Sequence, residues 1–180
     1  MNIVTAAPWN VLPVIARAAI ASHLAGTRWE APELDPPLRA PQGIFVTLWS
    51  PGHQLRGCIG HISPVGDTLA EEVAVCAVSA ATQDPRFPPV QAAELDRLEL
   101  EISVLHPPEP VNELSDLDPE TYGVVVTAGG RRGVLLAGVD GVQDVAHQID
   151  IARRKAGIGP TEAFTLQRFA MTKIPEPPRD

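Results

Sequence analysis

Proline placement constrains this chain more than any other feature. Nineteen of its 180 residues are proline, about twice the ~5% of average usage. Each fixes φ and offers no amide donor, so helix interiors and central strands must fit in the gaps. Clusters fall at Pro32, Pro36, Pro37 and Pro41, at Pro85, Pro88 and Pro89, and at Pro175, Pro177 and Pro178. Apolar runs separate them, which indicates rigid connectors in a loop-rich fold rather than disorder.

The gaps carry readable periodicity. Residues 10–25 read as an amphipathic helix, with Asn10 as cap and Gly26 as stop. Gly43 to Trp49 and Gln54 to Ile62 read as two strands returned by Ser50-Pro51-Gly52-His53. Asp67 is placed to cap a second helix ending near Thr82, whose apolar positions Leu69, Val73, Cys76, Ala77 and Ala80 recur at helical spacing. Asp84-Pro85-Arg86-Phe87-Pro88-Pro89 then forms a stiff connector.

From Arg97 to Leu105 the chain alternates, with Leu98, Leu100, Ile102 and Val104 on one face and Glu99, Glu101 and Ser103 on the other. Tyr122 to Ala128 and Gly133 to Gly138 flank Gly129-Gly130-Arg131-Arg132 as a hairpin. Val142 to Ala156 reads as a helix, Ala163 to Met171 as a last strand, and Pro175 to Asp180 as an extended or mobile end. Hairpin-paired strands with helices in separate blocks indicate an α+β fold with an antiparallel sheet, expected to form one domain over residues 1–180.

Bulk properties exclude several function classes. A net charge of -8 and a pI near 5.1 disfavour nucleic acid and anionic membranes, which require a basic surface. Arg17, Ser22 and His23 interrupt the apolar start well short of a membrane span, and no basic residue precedes Arg17 as a signal peptide would require. Two cysteines outside any Cys-x-x-Cys pair make no disulfide framework and suit a reducing cytoplasm.

The segment that can carry chemistry is Leu55-Arg56-Gly57-Cys58-Ile59-Gly60. Strict alternation sets Arg56, Cys58 and Gly60 on one face, where a guanidinium favours thiolate over thiol. Gly57 and Gly60 weaken a strand, and so mark a close approach of backbone or ligand, or a bulge. On local sequence alone, Cys58 reads as a small buried hydrophobe and Arg56 as an ordinary surface or ion-pair residue more readily than as a reactive pair, and Cys76, on an apolar helix face, reads as core. His53 and His61 approach Cys58 only if the hairpin folds back. Cys58-x-x-His61 is poor chelate geometry, since i and i+3 point to opposite faces of a strand, so no metal is expected there. Glu101 is expected to pair with Arg56 or Arg86 if their strands are neighbours, and Arg86-Phe87 reads equally as a rigid lip over a pocket or as an anchor.

Taken together, Leu55 to Gly60, Asp84 to Pro89 and Leu100-Glu101-Ile102-Ser103-Val104-Leu105, leading to Pro107-Pro108-Glu109-Pro110, resemble the AMMECR domain family in order and spacing. With the hairpin from Gly123 to Leu136 and Lys155-Ala156-Gly157-Ile158, the resemblance covers most of the chain from about Gly43. It implies an α+β domain of two unequal lobes around a cleft, with the cysteine motif near that cleft, and it supplies no reaction. Prokaryotic members are described as component A of an AmmeMemoRadiSam system, which implies Memo-type and radical-SAM proteins as partners but no cofactor on this chain. Leu135-Leu136-Ala137-Gly138-Val139 departs from the family's Leu-Leu-Leu-Pro-Gln-Val run, and Phe164 stands where a Trp is usual.

The expected site is therefore a cleft lined by Arg56, Gly57, Cys58, Gly60, His61, Arg86 and Glu101. It would bind a small anionic or carbonyl-bearing molecule, with Cys58 as nucleophile, the arginines as anion ligands and Glu101 orienting one of them. The alternative is a non-catalytic interaction module whose motif is structural.

Overall fold

A computed structural model describes residues 9–34, 36 and 38–178. The first eight residues of the apolar start, Pro37 of the linker and Arg179-Asp180 of the tail lie outside the described residues. The chain forms two compact units of unequal size, residues 1–104 with 172–180, and residues 105–171. Each holds a four-stranded sheet.

In the first unit, helix α1 (Val11–Leu24) precedes strands β1 (Ile44–Ser50) and β2 (Gln54–His61), helix α2 (Leu69–Thr82), a short helix α3 (Ala92–Leu95) and strand β3 (Glu99–Leu105). The second contains strands β4 (Glu109–Pro110), β5 (Gly123–Ala128), β6 (Arg131–Leu135) and β7 (Thr165–Phe169), with helix α4 (Val145–Lys155) between the last two. Strand β8 (Met171–Pro175) returns to the first sheet, whose order is β2-β1-β3-β8, while the second runs β4-β7-β5-β6.

Two four-stranded sheets replace the one expected, and the division falls inside the segment read as a single last strand. Strand β7 pairs with β4 and β5, the Ala170 carbonyl turns to accept from the His106 amide at 2.9 Å, and β8 then lies beside β3. The tail is not a loose end through Glu176. Its carboxylate pairs with Arg17, whose guanidinium also donates to the Leu95 and Leu98 carbonyls, and the Glu176 amide donates to the Leu100 carbonyl at 2.8 Å. The arginine that interrupts the apolar N-terminal stretch thus ties α1 to the start of β3 and to the chain end.

The helix ends follow capping chemistry, with two differences from expectation. Gly26, at φ 65°, ends α1 in a Schellman turn in which the Thr27 amide reaches the Ser22 carbonyl and the Gly26 amide the His23 carbonyl. Asn10 is itself helical and makes no side-chain cap, because the chain already turns at the Trp9 carbonyl, which accepts from Leu12. Thr68, not Asp67, caps α2. It alone has a glutamate three residues on, and Thr68 and Glu71 close a reciprocal capping box.

Helices α1 and α2 share a core with the inward face of the first sheet, formed by Ile44, Val46, Leu48, Leu100, Ile102 and Val104. A smaller core gathers Val124, Val126, Leu135 and Ala152 in the second unit. Both units use one packing device. A Cβ on Gly57 would overlap the Ala80 carbonyl of α2, and a Cβ on Gly133 would overlap the Ala152 carbonyl of α4. Glycine in each strand lets a helix backbone approach directly. Among the described residues, no helix is long and apolar enough to cross a membrane.

Gly57→Ala should therefore lower the unfolding free energy by about 3 kcal/mol in urea titration, because the methyl meets helix backbone that cannot yield as a side chain can.

Candidate functional site

Register decides which side chains of β2 can meet. Cys58 lies opposite Thr47 and Gly60 opposite Phe45, while Gly57, Ile59 and His61 lie opposite the core residues Leu48, Val46 and Ile44. Cys58 and Gly60 therefore face away from the helices, and Gly57 and His61 face toward α2. Arg56 breaks the alternation. Leu55 pairs with Trp49 and Gly57 with Leu48, so Arg56 is the extra residue of a β-bulge.

Cys58 is held from three sides. Its amide donates to the Asp84 carboxylate at 2.9 Å, its carbonyl accepts from Arg86 at 3.4 Å, and its sulfur accepts from the Thr47 hydroxyl at 3.3 Å. Asp84 is the pivot. It is 4% exposed and takes the Arg86 backbone amide, its Nε at 3.0 Å and its Nη2 at 2.7 Å. The bond from Asp84 to the amide two residues on is an Asx turn, which Pro85 pre-shapes. Arg86 is thus fixed in direction while its side chain stays half exposed.

The electrostatics run against the expected thiolate. Burial pushes the Cys58 thiol up, and the Thr47 bond and the Arg86 charge only partly offset this. Arg56 is occupied elsewhere, with Nε 2.6 Å and Nη2 3.1 Å from the two carboxylate oxygens of Glu94 on α3. It reaches the cysteine's neighbourhood only through Phe87, whose ring lies 5.9 Å from the Arg56 guanidinium and 5.5 Å from that of Arg86. The connector is anchored by the buried Asp84, and the Arg86 side chain projects from it.

Besides Arg56 and the helix-facing Gly57, Glu101 and His61 do not join Cys58. Glu101 shares the Cys58 face but sits across Thr47, two strands away, and pairs with neither arginine; its partner is Lys173 at 3.8 Å. His61 is turned to the opposite face, where its Nδ1 lies 2.6 Å from Glu72 and 3.5 Å from the Cys76 sulfur. Gly60 serves packing, since a Cβ there would strike the Phe45 ring.

Of the residues that organise these contacts, Thr47, Glu94 and Glu72 are not singled out by motif reading, while Asp84 is read only as the start of the connector and Cys76 only as core. Two had a local signal. Asp84-Pro85 is Asx-turn chemistry at a helix end, and Glu72, four residues before Cys76, is a charge within an otherwise apolar helical stripe. Glu72 is fully buried, and one of its oxygens accepts from the Val65 and Gly66 amides at 2.6 and 2.7 Å. Burial acts to raise its carboxyl, but these amides and His61 outweigh it and hold the group below its ordinary value.

The chain matches the family described as AMMECR1 over residues 13–174. A protein of Thermotoga maritima is 47% identical over 133 residues, covering 71% of this chain and 76% of that protein. A longer protein of Clostridium acetobutylicum is 42% identical over 135 residues, 75% of this chain and 28% of its own length. In structure, the chain is similar to the uncharacterized protein PH0010 from Pyrococcus horikoshii, with TM-score 0.80 and 32% identity over 91% of this chain and 89% of that one.

Two substitutions test this geometry. The Arg86 bonds hold the Asp84 carboxyl well below its ordinary value of 3.8, so the stability it contributes is complete above that pH and is lost as pH falls through the folded value. Asp84→Asn should cost about 2 kcal/mol in urea unfolding near neutral pH, and the gap to wild type should narrow progressively below pH 3.8. Glu101→Gln, by contrast, loses only a contact to a Lys173 side chain that is 55% exposed, and the same measurement should find it within about 1 kcal/mol of wild type.

Proposed function

This chain belongs to the AMMECR1 family, and we propose that it binds a small anionic or carbonyl-bearing molecule on the sheet face around Cys58 and Arg86. One observation carries the reading. The Arg86 guanidinium is half exposed yet held in place by the buried Asp84 carboxylate, beside a partly exposed cysteine. An anchored guanidinium is an oriented donor with little entropy left to lose on binding, which suits a carboxylate, phosphate or carbonyl oxygen. Cys58 acts in this reading as a protonated thiol lining the site, because burial keeps the thiol up. A nucleophilic role would need a bound molecule to bring further positive charge or another base to the sulfur. Two unpaired cysteines suit a reducing cytoplasmic setting.

A second reading is favoured by the closure of both arginines on chain carboxylates, Arg56 on Glu94 and Arg86 on Asp84. On that reading the motif is structural and the domain is a non-catalytic interaction module, working with the Memo-type and radical-SAM proteins that the family resemblance implies.

Nitrogen-15 spectra during titration with acetate, pyruvate and inorganic phosphate separate the two. Ligand binding predicts saturable shifts at the amides of Thr47 and Cys58 and at the Arg86 side chain, weakened at least tenfold in Arg86→Ala. Shifts scattered over the surface, or equal in the variant, would favour the interaction module. Iodoacetamide should modify Cys58 slowly near neutral pH and faster only as the solution becomes alkaline, and more slowly still in Arg86→Ala. Rapid neutral-pH modification that Cys58→Ser abolishes would restore the nucleophile.

A further inference from the structure

On the helix-facing side of β2, three side chains of different chemistry converge. The Nδ1 of His61, a carboxylate oxygen of Glu72 and the Sγ of Cys76 all lie within 4.8 Å of one another. We propose that His61, Glu72 and Cys76 form a binding site for a divalent cation of the zinc class.

The distances are close to those of a tetrahedral centre. Zinc bonds of about 2.0 to 2.1 Å to nitrogen and oxygen and about 2.3 Å to sulfur place sulfur about 3.6 Å from each of the other two donors. The observed separations are 3.5 Å from Cys76 Sγ to His61 Nδ1 and 3.6 Å to Glu72 Oε1. Nitrogen and oxygen would stand about 3.4 Å apart around such an ion, against 2.6 Å here. That one edge must open, from a hydrogen bond to a bridged pair.

Convergence on one nitrogen separates a chelate from a proton relay. A cysteine, histidine and carboxylate arranged for nucleophilic catalysis use the two ring nitrogens, one facing the thiol and the other the acid. Here Cys76 and Glu72 both meet Nδ1. The second Glu72 oxygen is already held by the Val65 and Gly66 amides, the outer hydrogen bonding that orients a ligating carboxylate.

Charge balance points the same way. On binding, the Cys76 S–H bond gives its proton to water and a sulfur–metal bond forms, with no change of oxidation state. Thiolate, carboxylate and neutral imidazole then cancel the two positive charges, leaving a neutral centre where Glu72 and Cys76 are fully buried. The His61 side chain is 33% exposed, so the cluster has one edge toward solvent. Mixed nitrogen, oxygen and sulfur donors select zinc or cobalt over magnesium or calcium.

Cobalt(II) titration of metal-free protein tests the site through its spectrum. The expected result is one equivalent bound, with a sulfur-to-cobalt charge-transfer band. Cys58→Ser should retain that band, Cys76→Ser should abolish it, and His61→Ala should weaken binding at least tenfold. Zinc should displace the cobalt. If Cys76→Ser fails to fold, the partly exposed His61 position carries the decision. Absence of the band in the wild type, its loss in Cys58→Ser, or unchanged affinity in His61→Ala would overturn the assignment. Cys58 points to the other face of β2 and Arg86 bonds to its carbonyl, so failure here leaves the ligand-binding proposal standing, and the reverse.

Discussion

Direct contact between α2 and the backbone of β2 at Gly57 sets the terms for everything functional in this chain. With no side chain at that position, the Ala80 carbonyl lies against the strand, and α2 sits closer than a helix over a pleated, side-chain-covered surface can. That closeness lets the short reach of Glu72 and Cys76 arrive at His61, two and four residues along from Ile59 and Gly57 on the same face. Strand alternation then sends Cys58 the other way. A bulge or slip of one residue after Gly57 would exchange the two sets.

Two buried carboxylates reinforce this contact from its ends. Glu72 lies in the first turn of α2 and takes the Val65 and Gly66 amides of the preceding loop, and Asp84 lies just past the helix and takes the Cys58 amide. Each buried charge is matched by several donors, as its desolvation requires. The arrangement brackets β2 between loop amides at one end of the helix and a clamped arginine at the other. Rigidity in the β2 motif thus comes from acids that lie outside it.

Much of the fold was legible because its signals are local. The alternation of Leu98 to Val104, the turn chemistry of Pro51-Gly52 and the helical stripe from Leu69 to Ala80 each fit inside one element, and each matches the structure. What escaped depends on partners distant in sequence. The separation of β7 from β8 turns on the Ala170 carbonyl meeting His106, and the fastening of the tail on Arg17 meeting Glu176. The Arg56 bulge shows only against β1, because a residue can be counted as extra only beside the strand it fails to pair with. Elements of four residues or fewer, such as α3 and β4, are too short to show a period.

The candidate site shows the same division. Its residue types were legible, yet their grouping was not, since sequence proximity of Arg56, Cys58 and His61 suggested one cluster where the strand makes two. Arg56 is drawn off by Glu94, thirty-eight residues away, and His61 by Glu72. What remains beside Cys58 is Arg86, delivered by a connector whose prolines fix its path. The strand therefore presents a thiol kept protonated by burial on one face and an imidazole held against a buried acid on the other. A motif read as one reactive centre is better understood as the partition between two environments, each completed by residues that the motif does not contain.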